Sequence, residues 1–73
     1  MPGFTPEAIE RLFAYHQPKS DQPHRYHRIN EAAKAFALEV LDCTPPSAEQ
    51  TIAIRKIQES RMMANASIAI NEE

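Results

Sequence analysis

Through the second half of the chain, apolar residues return every three or four positions. From Ser47 to Ile70 the sequence SAEQTIAIRKIQESRMMANASIAI contains neither Pro nor Gly, and Ile54, Ile57, Ala64 and Ile68 fall on one stripe at helical spacing. Ser47 followed by Gln50 has the form of a capping box, the Ser hydroxyl on a helix-start N–H and the Gln reaching back to the cap. A helix therefore begins there, and if it runs unbroken to Ile70 it is about 35 Å long at ~1.5 Å per residue. Arg61 stands where the stripe calls for a hydrophobic side chain, and Asn65 lies one turn further on, so two polar groups fall near the packing seam.

A second long pattern precedes this one. Beginning near Pro23, the positions Tyr26, Ile29, Ala33, Phe36, Val40 and Cys43 alternate steps of three and four, the seam of a helix packed along another helix. On this reading Cys43 is a small buried apolar side chain. Thr44-Pro45-Pro46 breaks the helix, and so short a turn makes the two long helices antiparallel neighbours. Near the N-terminus, Met1 to Phe4 is a lead. Thr5-Pro6 then reads as an N-cap with a proline at the first helical position. Ile9, Leu12 and Phe13 give the resulting helix, about Pro6 to Tyr15, one apolar face. His16 to Gln22 is a polar connector in which Pro18 stops the first helix and Ser20 and Asp21 are available as caps for the next.

The pattern thus predicts one all-α domain over residues 1–73, a short N-terminal helix followed by an antiparallel hairpin of two long helices, with no strand signal. Ala32, Leu38, Ile52, Met63 and Ile70 lie off the seams and would form a second apolar face. Apolar surface on two sides implies a homo-oligomer. Length supports this, because 73 residues bury a limited fraction of their surface and need reinforcement. A single cysteine excludes an intrachain disulfide and a cysteine-based zinc site, and no metal or cofactor is expected. The formal net charge of −2 argues against binding to duplex DNA or RNA through a uniformly basic surface. With no apolar run long enough for a bilayer and no secretion signal, a cytosolic location is expected and a membrane partner is not.

Catalytic motifs are missing: there is no nucleophile elbow, glycine phosphate loop, paired-histidine metalloprotease motif or dinucleotide fingerprint. The chain is therefore not expected to be an enzyme. A binding site is more promising. Tyr15-His16 is followed across the connector by Lys19, His24, Arg25, His27 and Arg28. An arginine fork can hold a phosphate through two parallel hydrogen bonds, and an aromatic ring can stack on a purine. The plainer alternative is that Arg25 and Arg28 are solvated and the two tyrosines simply pack. Arg61, with Asn65 one turn on as a further candidate ligand-binding residue, is open to the same two readings. It could snorkel out of the seam, or copies associating along this helix could gather several Arg61 side chains into a ring that needs an anion at its centre. Arg55 and Lys56 could serve the same site or be surface charges.

The succession AYHQP, RYHRINEAAKAFA, a proline turn and TIAIRKIQESRMMANASIAI resembles the small phage proteins that sequester cyclic oligonucleotide signals and so inhibit CBASS defence. A related helical hairpin occurs in sponges directed against Thoeris. The resemblance runs from Phe13 to Ile70, and the closing MMANASIAI carries most of it. It implies a hexamer without catalysis in the bacterial host cytosol, with cyclic dinucleotides held between protomers and cyclic trinucleotides in separate pockets on threefold axes. By position, it implies that Tyr15 stacks on a dinucleotide base and that Arg25 or Arg28 meets its phosphate. His16 and an arginine of the last helix, Arg61 or else Arg55, would belong to the trinucleotide pocket. A structural oligomerisation or docking module and a phosphodiesterase are the rival readings.

Overall fold

The computed structural model describes residues 3–72, so the part of the expected N-terminal lead formed by Met1 and Pro2 lies outside the described residues. Three helices follow in order: α1 Pro6–Phe13, α2 Gln22–Cys43 and α3 Ala48–Asn71. No strand occurs among the described residues.

α1 begins as expected, with Thr5 Oγ1 accepting from Ala8 N at 3.1 Å and Pro6 in the first turn. It ends at Phe13, two residues short of the expected Tyr15. The His16 ring folds back over this end, its Nε2–H donating at 3.1 Å to Arg11 O, one of the terminal carbonyls that the helix leaves without a backbone donor. Ala14 is already extended.

α2 starts at Gln22, and Asp21 sits at its N-cap without a side-chain capping bond. Its carboxylate instead approaches Arg25. The chain reaches that start through a turn in which Gln22 N donates to Lys19 O at 3.0 Å, with Ser20 in the left-handed region at φ 52.

At the far end, half of the expected capping box forms. Ser47 Oγ accepts from Gln50 N at 3.1 Å. The Gln50 side chain does not return to its own cap. It crosses to the end of α2, where Nε2 donates to Thr44 O at 3.0 Å and to Thr44 Oγ1 at 3.1 Å. A polar side chain on α3 thereby satisfies a terminal carbonyl of α2, and the hairpin turn is pinned by its own caps.

α2 and α3 carry the tertiary packing. The molecule measures 45 × 31 × 17 Å, and its helix packing among the described residues is one side-by-side pair, α2 on α3. A single layer has no interior, and no hydrophobic residue is buried among the described residues. The seam is half-buried, formed by Tyr26, Ile29, Ala33, Ala37 and Val40 of α2 against Ile54, Ile57, Arg61, Asn65 and Ile68 of α3.

Two expected seam residues are not in it. Phe36 is 60% exposed, because the step from Ala33 to Val40 passes through Ala37 and turns the Phe36 ring out of the seam toward one broad face. Cys43 is also exposed rather than buried, being the last residue of α2. Of the expected second apolar face, Ala32, Leu38, Ile52 and Met63 are exposed and Ile70 is half-buried.

Candidate functional site

The hairpin has a closed end at its turn and an open end where three segments converge: the connector after α1, the first turn of α2 and the last turn of α3. Antiparallel pairing creates this meeting. The register that sets Asn30 beside Asn65 also sets Gln22 beside Glu72.

Gln22 is the pivot and the one buried polar residue among the described residues, 4% exposed. Its Oε1 accepts from Lys19 N at 3.1 Å and its Nε2 donates to Glu72 Oε1 at 3.4 Å. Arg25 lies one turn further along α2. Nη1 donates to Glu72 Oε2 at 3.0 Å and Nη2 donates to Glu72 Oε1, a two-pronged contact. On the other edge, Arg25 Nε is 3.1 Å from Asp21 Oδ2, close enough for an ion pair although not aligned for a hydrogen bond. The bonds from Arg25 and then Gln22 hold the Glu72 carboxyl at about 2, well below its ordinary value, with the nearby Lys19 charge acting in the same direction. The guanidinium is correspondingly raised, first by its bond to Glu72.

Two recesses flank this cluster. One, of about 470 Å³, is lined by Lys19, Ser20, Asp21, Gln22, Arg25 and Glu72. The other, of about 240 Å³, has Tyr15, His16, Gln17 and Ala69 with Lys19, Gln22 and Glu72 on its rim. Tyr15 is 82% exposed, a ring with an open face. The connector thus brings Tyr15 and Arg25 to opposite sides of the Gln22–Glu72 contact. Arg28 sits a turn away, exposed and without an ion pair among the described residues.

A second polar cluster interrupts the seam at mid-hairpin. Asn30 Oδ1 accepts from Arg61 Nη1 at 3.5 Å and from Asn65 Nδ2 at 3.4 Å, while Asn65 Oδ1 is buried without a partner. Arg61 is therefore oriented across the hairpin by α2, and half-buried. It reaches an apolar groove of about 570 Å³ on one face and a smaller recess on the other. Asn65 shares a further recess of about 350 Å³ with His16 and Tyr26, so His16 borders both clusters. Arg55 is not brought in. It is exposed on α3 and donates to Gln58 Oε1 at 3.1 Å.

Sequence reading missed Gln22, Asn30 and Glu72. All three are made important by partners on the other helix, and the only signal for them was the register of the hairpin. His27 and Glu31 stand one turn apart on α2, but no group of three metal-binding side chains forms among the described residues.

The family model described as Acb2/Tad1, hairpin domain, matches residues 5–69. The chain belongs to that family, the anti-CBASS and anti-Thoeris sponges. The matched span of the Acb2/Tad1 hairpin takes in α1, the connector, α2 and α3 as far as Ala69, and so both polar clusters apart from Glu72. No curated protein and no solved structure matches the chain closely enough to show kinship. No helix among the described residues is long and apolar enough to cross a membrane.

Proposed function

We propose that this protein is a phage anti-defence sponge: it binds cyclic di- and trinucleotide signals without degrading them and keeps the CBASS effector of the host from firing. The observation that carries the reading is the family match over residues 5–69. It coincides with an open aromatic ring, Tyr15, beside a recess edged by Lys19 and by the carboxylate that Arg25 holds.

Tyr15 and Arg25, with Arg28 close by, take the dinucleotide in this proposal. His16, Asn65 and Arg61 take the trinucleotide. Self-association, as a hexamer, completes the sites. Its physical reason is the single-layer hairpin, which leaves Phe36, Leu38, Ile52 and Met63 in water and would gain by covering them, at ~25 cal/mol per Å² of apolar surface. A sponge must bind tightly. To hold nearly all of a micromolar signal its Kd must be nanomolar, roughly −12 kcal/mol, and that requires stacking together with several charge-assisted bonds.

Calorimetry with a panel of cyclic di- and trinucleotides tests the proposal, followed by recovery of the nucleotide after heat denaturation. Heat on mixing and release of intact nucleotide are expected. The apolar groove between α2 and α3, lined largely by Ala, Ile, Val and Phe, favours a second reading as a purely structural association module. Such a module would give no heat with any nucleotide, and a phosphodiesterase would return cleaved products.

A further inference from the structure

The open end of the hairpin already holds an anion of its own. Glu72 receives both terminal nitrogens of Arg25 and the amide of Gln22, with the Lys19 ammonium near enough to act on its charge. A guanidinium fork, an amide N–H and a neighbouring cation are the donors that a phosphate oxygen would use. With Glu72 in place, the cluster contains two cations, Lys19 and Arg25, and two carboxylates, Asp21 and Glu72, and is locally neutral. With Glu72 withdrawn it carries a net positive charge. Withdrawal is easy, because Glu72 is the C-cap residue, already non-helical at φ −116 and ψ 53, and only its side chain needs to turn away.

We propose that Glu72 is a tethered competitor for the phosphate of the ligand: its carboxylate holds the Arg25 fork, and an anion gains the fork only by displacing it. The inference rests on the nucleotide-binding reading above and adds to it a residue that determines specificity. A group tethered within the same chain acts at an effective concentration in the millimolar range. Free phosphate and other small anions have only this cluster to bind, and they are held off. A dinucleotide that also stacks on Tyr15 brings a second contact and opens the fork. Discrimination then comes from a built-in rival to weak ligands as well as from attraction to the right one.

Calorimetry with 3′,3′-cyclic di-AMP, with and without millimolar inorganic phosphate, on the wild type, Glu72→Gln and Arg25→Gln tests this. Removing an exposed ion-pair partner should tighten cyclic di-AMP binding by Glu72→Gln about two- to fivefold. Phosphate should compete with the dinucleotide in that variant and not in the wild type, and Arg25→Gln should bind more weakly and be indifferent to phosphate. Circular dichroism checks that the helices persist. Should Glu72→Gln lose them, Glu72→Asp keeps the charge on an arm one methylene shorter that reaches the Arg25 fork less well, and a smaller gain is expected. A wild type that binds while Glu72→Gln binds equally or less well overturns the inference and leaves the proposed function standing, Glu72 then being a positioning residue for Arg25. If no variant binds cyclic di-AMP the competitor role fails for that ligand, and if the wider panel of cyclic dinucleotides also gives no heat the dinucleotide part of the proposed function fails with it.

Discussion

The two ends of the hairpin are held by opposite kinds of bond. At the turn the bonds are neutral and local: Thr44 N and Oγ1 both donate to Val40 O, at 3.1 and 2.6 Å, and Gln50 reaches Thr44 O at 3.0 Å. At the open end they are long-range and mostly charged: Arg25 to Glu72, Gln22 to Glu72, and Arg11 Nη2 to Asn71 Oδ1 at 3.4 Å. Neutral local bonds persist across salt and pH. Exposed charged bonds are screened by salt and can be exchanged for a better anion. The closed end therefore sets the geometry, and the open end keeps its strongest donors on groups that a ligand could claim.

The largest effect should come at the open end, in binding rather than stability. Tyr15→Ala should cost about 1–3 kcal/mol of cyclic dinucleotide affinity through lost stacking and leave trinucleotide binding and the denaturant midpoint nearly unchanged, because the ring covers no core. Arg61→Ala should do the reverse, weakening the trinucleotide. Calorimetry of both variants with both ligand classes checks this, and equal losses everywhere would merge the two clusters into one site. At the closed end the expectation is inverted. Ser47→Ala removes the N-cap of α3 and should lower stability by about 1 kcal/mol, read as a urea midpoint at fixed protomer concentration, with ligand affinity preserved at that concentration. Gln50→Ala should cost a little less, about 0.5–1 kcal/mol, since the carbonyl it leaves at Thr44 is exposed and water can take its place. A Gln50→Ala variant that lost dinucleotide affinity as Tyr15→Ala does would break the division between the ends.

The same division decides what could be read from the residues alone. Helix starts were legible wherever a cap lies within three residues of its partner, as with Thr5 and Ala8 or Ser47 and Gln50. So was the hairpin, because Thr44-Pro45-Pro46 can hardly continue a helix. Features that depend on a partner on the other helix were not legible. Phe36 and Ala37 both suit a seam of threes and fours, and only the rotation of α2 against α3 puts Ala37 inside. Gln50 looks like half of a local box until the end of α2 is placed within its reach. In the candidate site, Tyr15, His16, Arg25 and Arg61 stood out by residue type. Gln22, Asn30 and Glu72 are ordinary polar residues whose significance comes from partners 31 to 50 positions away.

The smallest effect is the most diagnostic of the charged end. Glu72 has its folded-state carboxyl lowered from 4.5 to about 2, first by the bond from Arg25 and then by that from Gln22. A depressed carboxyl adds stability that is fully present above its unfolded value and disappears as the pH falls through the folded one. The gap in urea midpoint between wild type and Glu72→Gln should therefore hold steady from neutral pH down to about 5, shrink between 4.5 and 2, and vanish below. Because the pair is exposed, added salt should narrow the gap at neutral pH as well. Ser47→Ala gives the control: its deficit comes from a hydroxyl that does not titrate, so it should stay constant over the same range. If the Glu72 gap proved as indifferent to acid and salt as the Ser47 gap, the open end would be held like the closed one, by bonds that no anion can exchange.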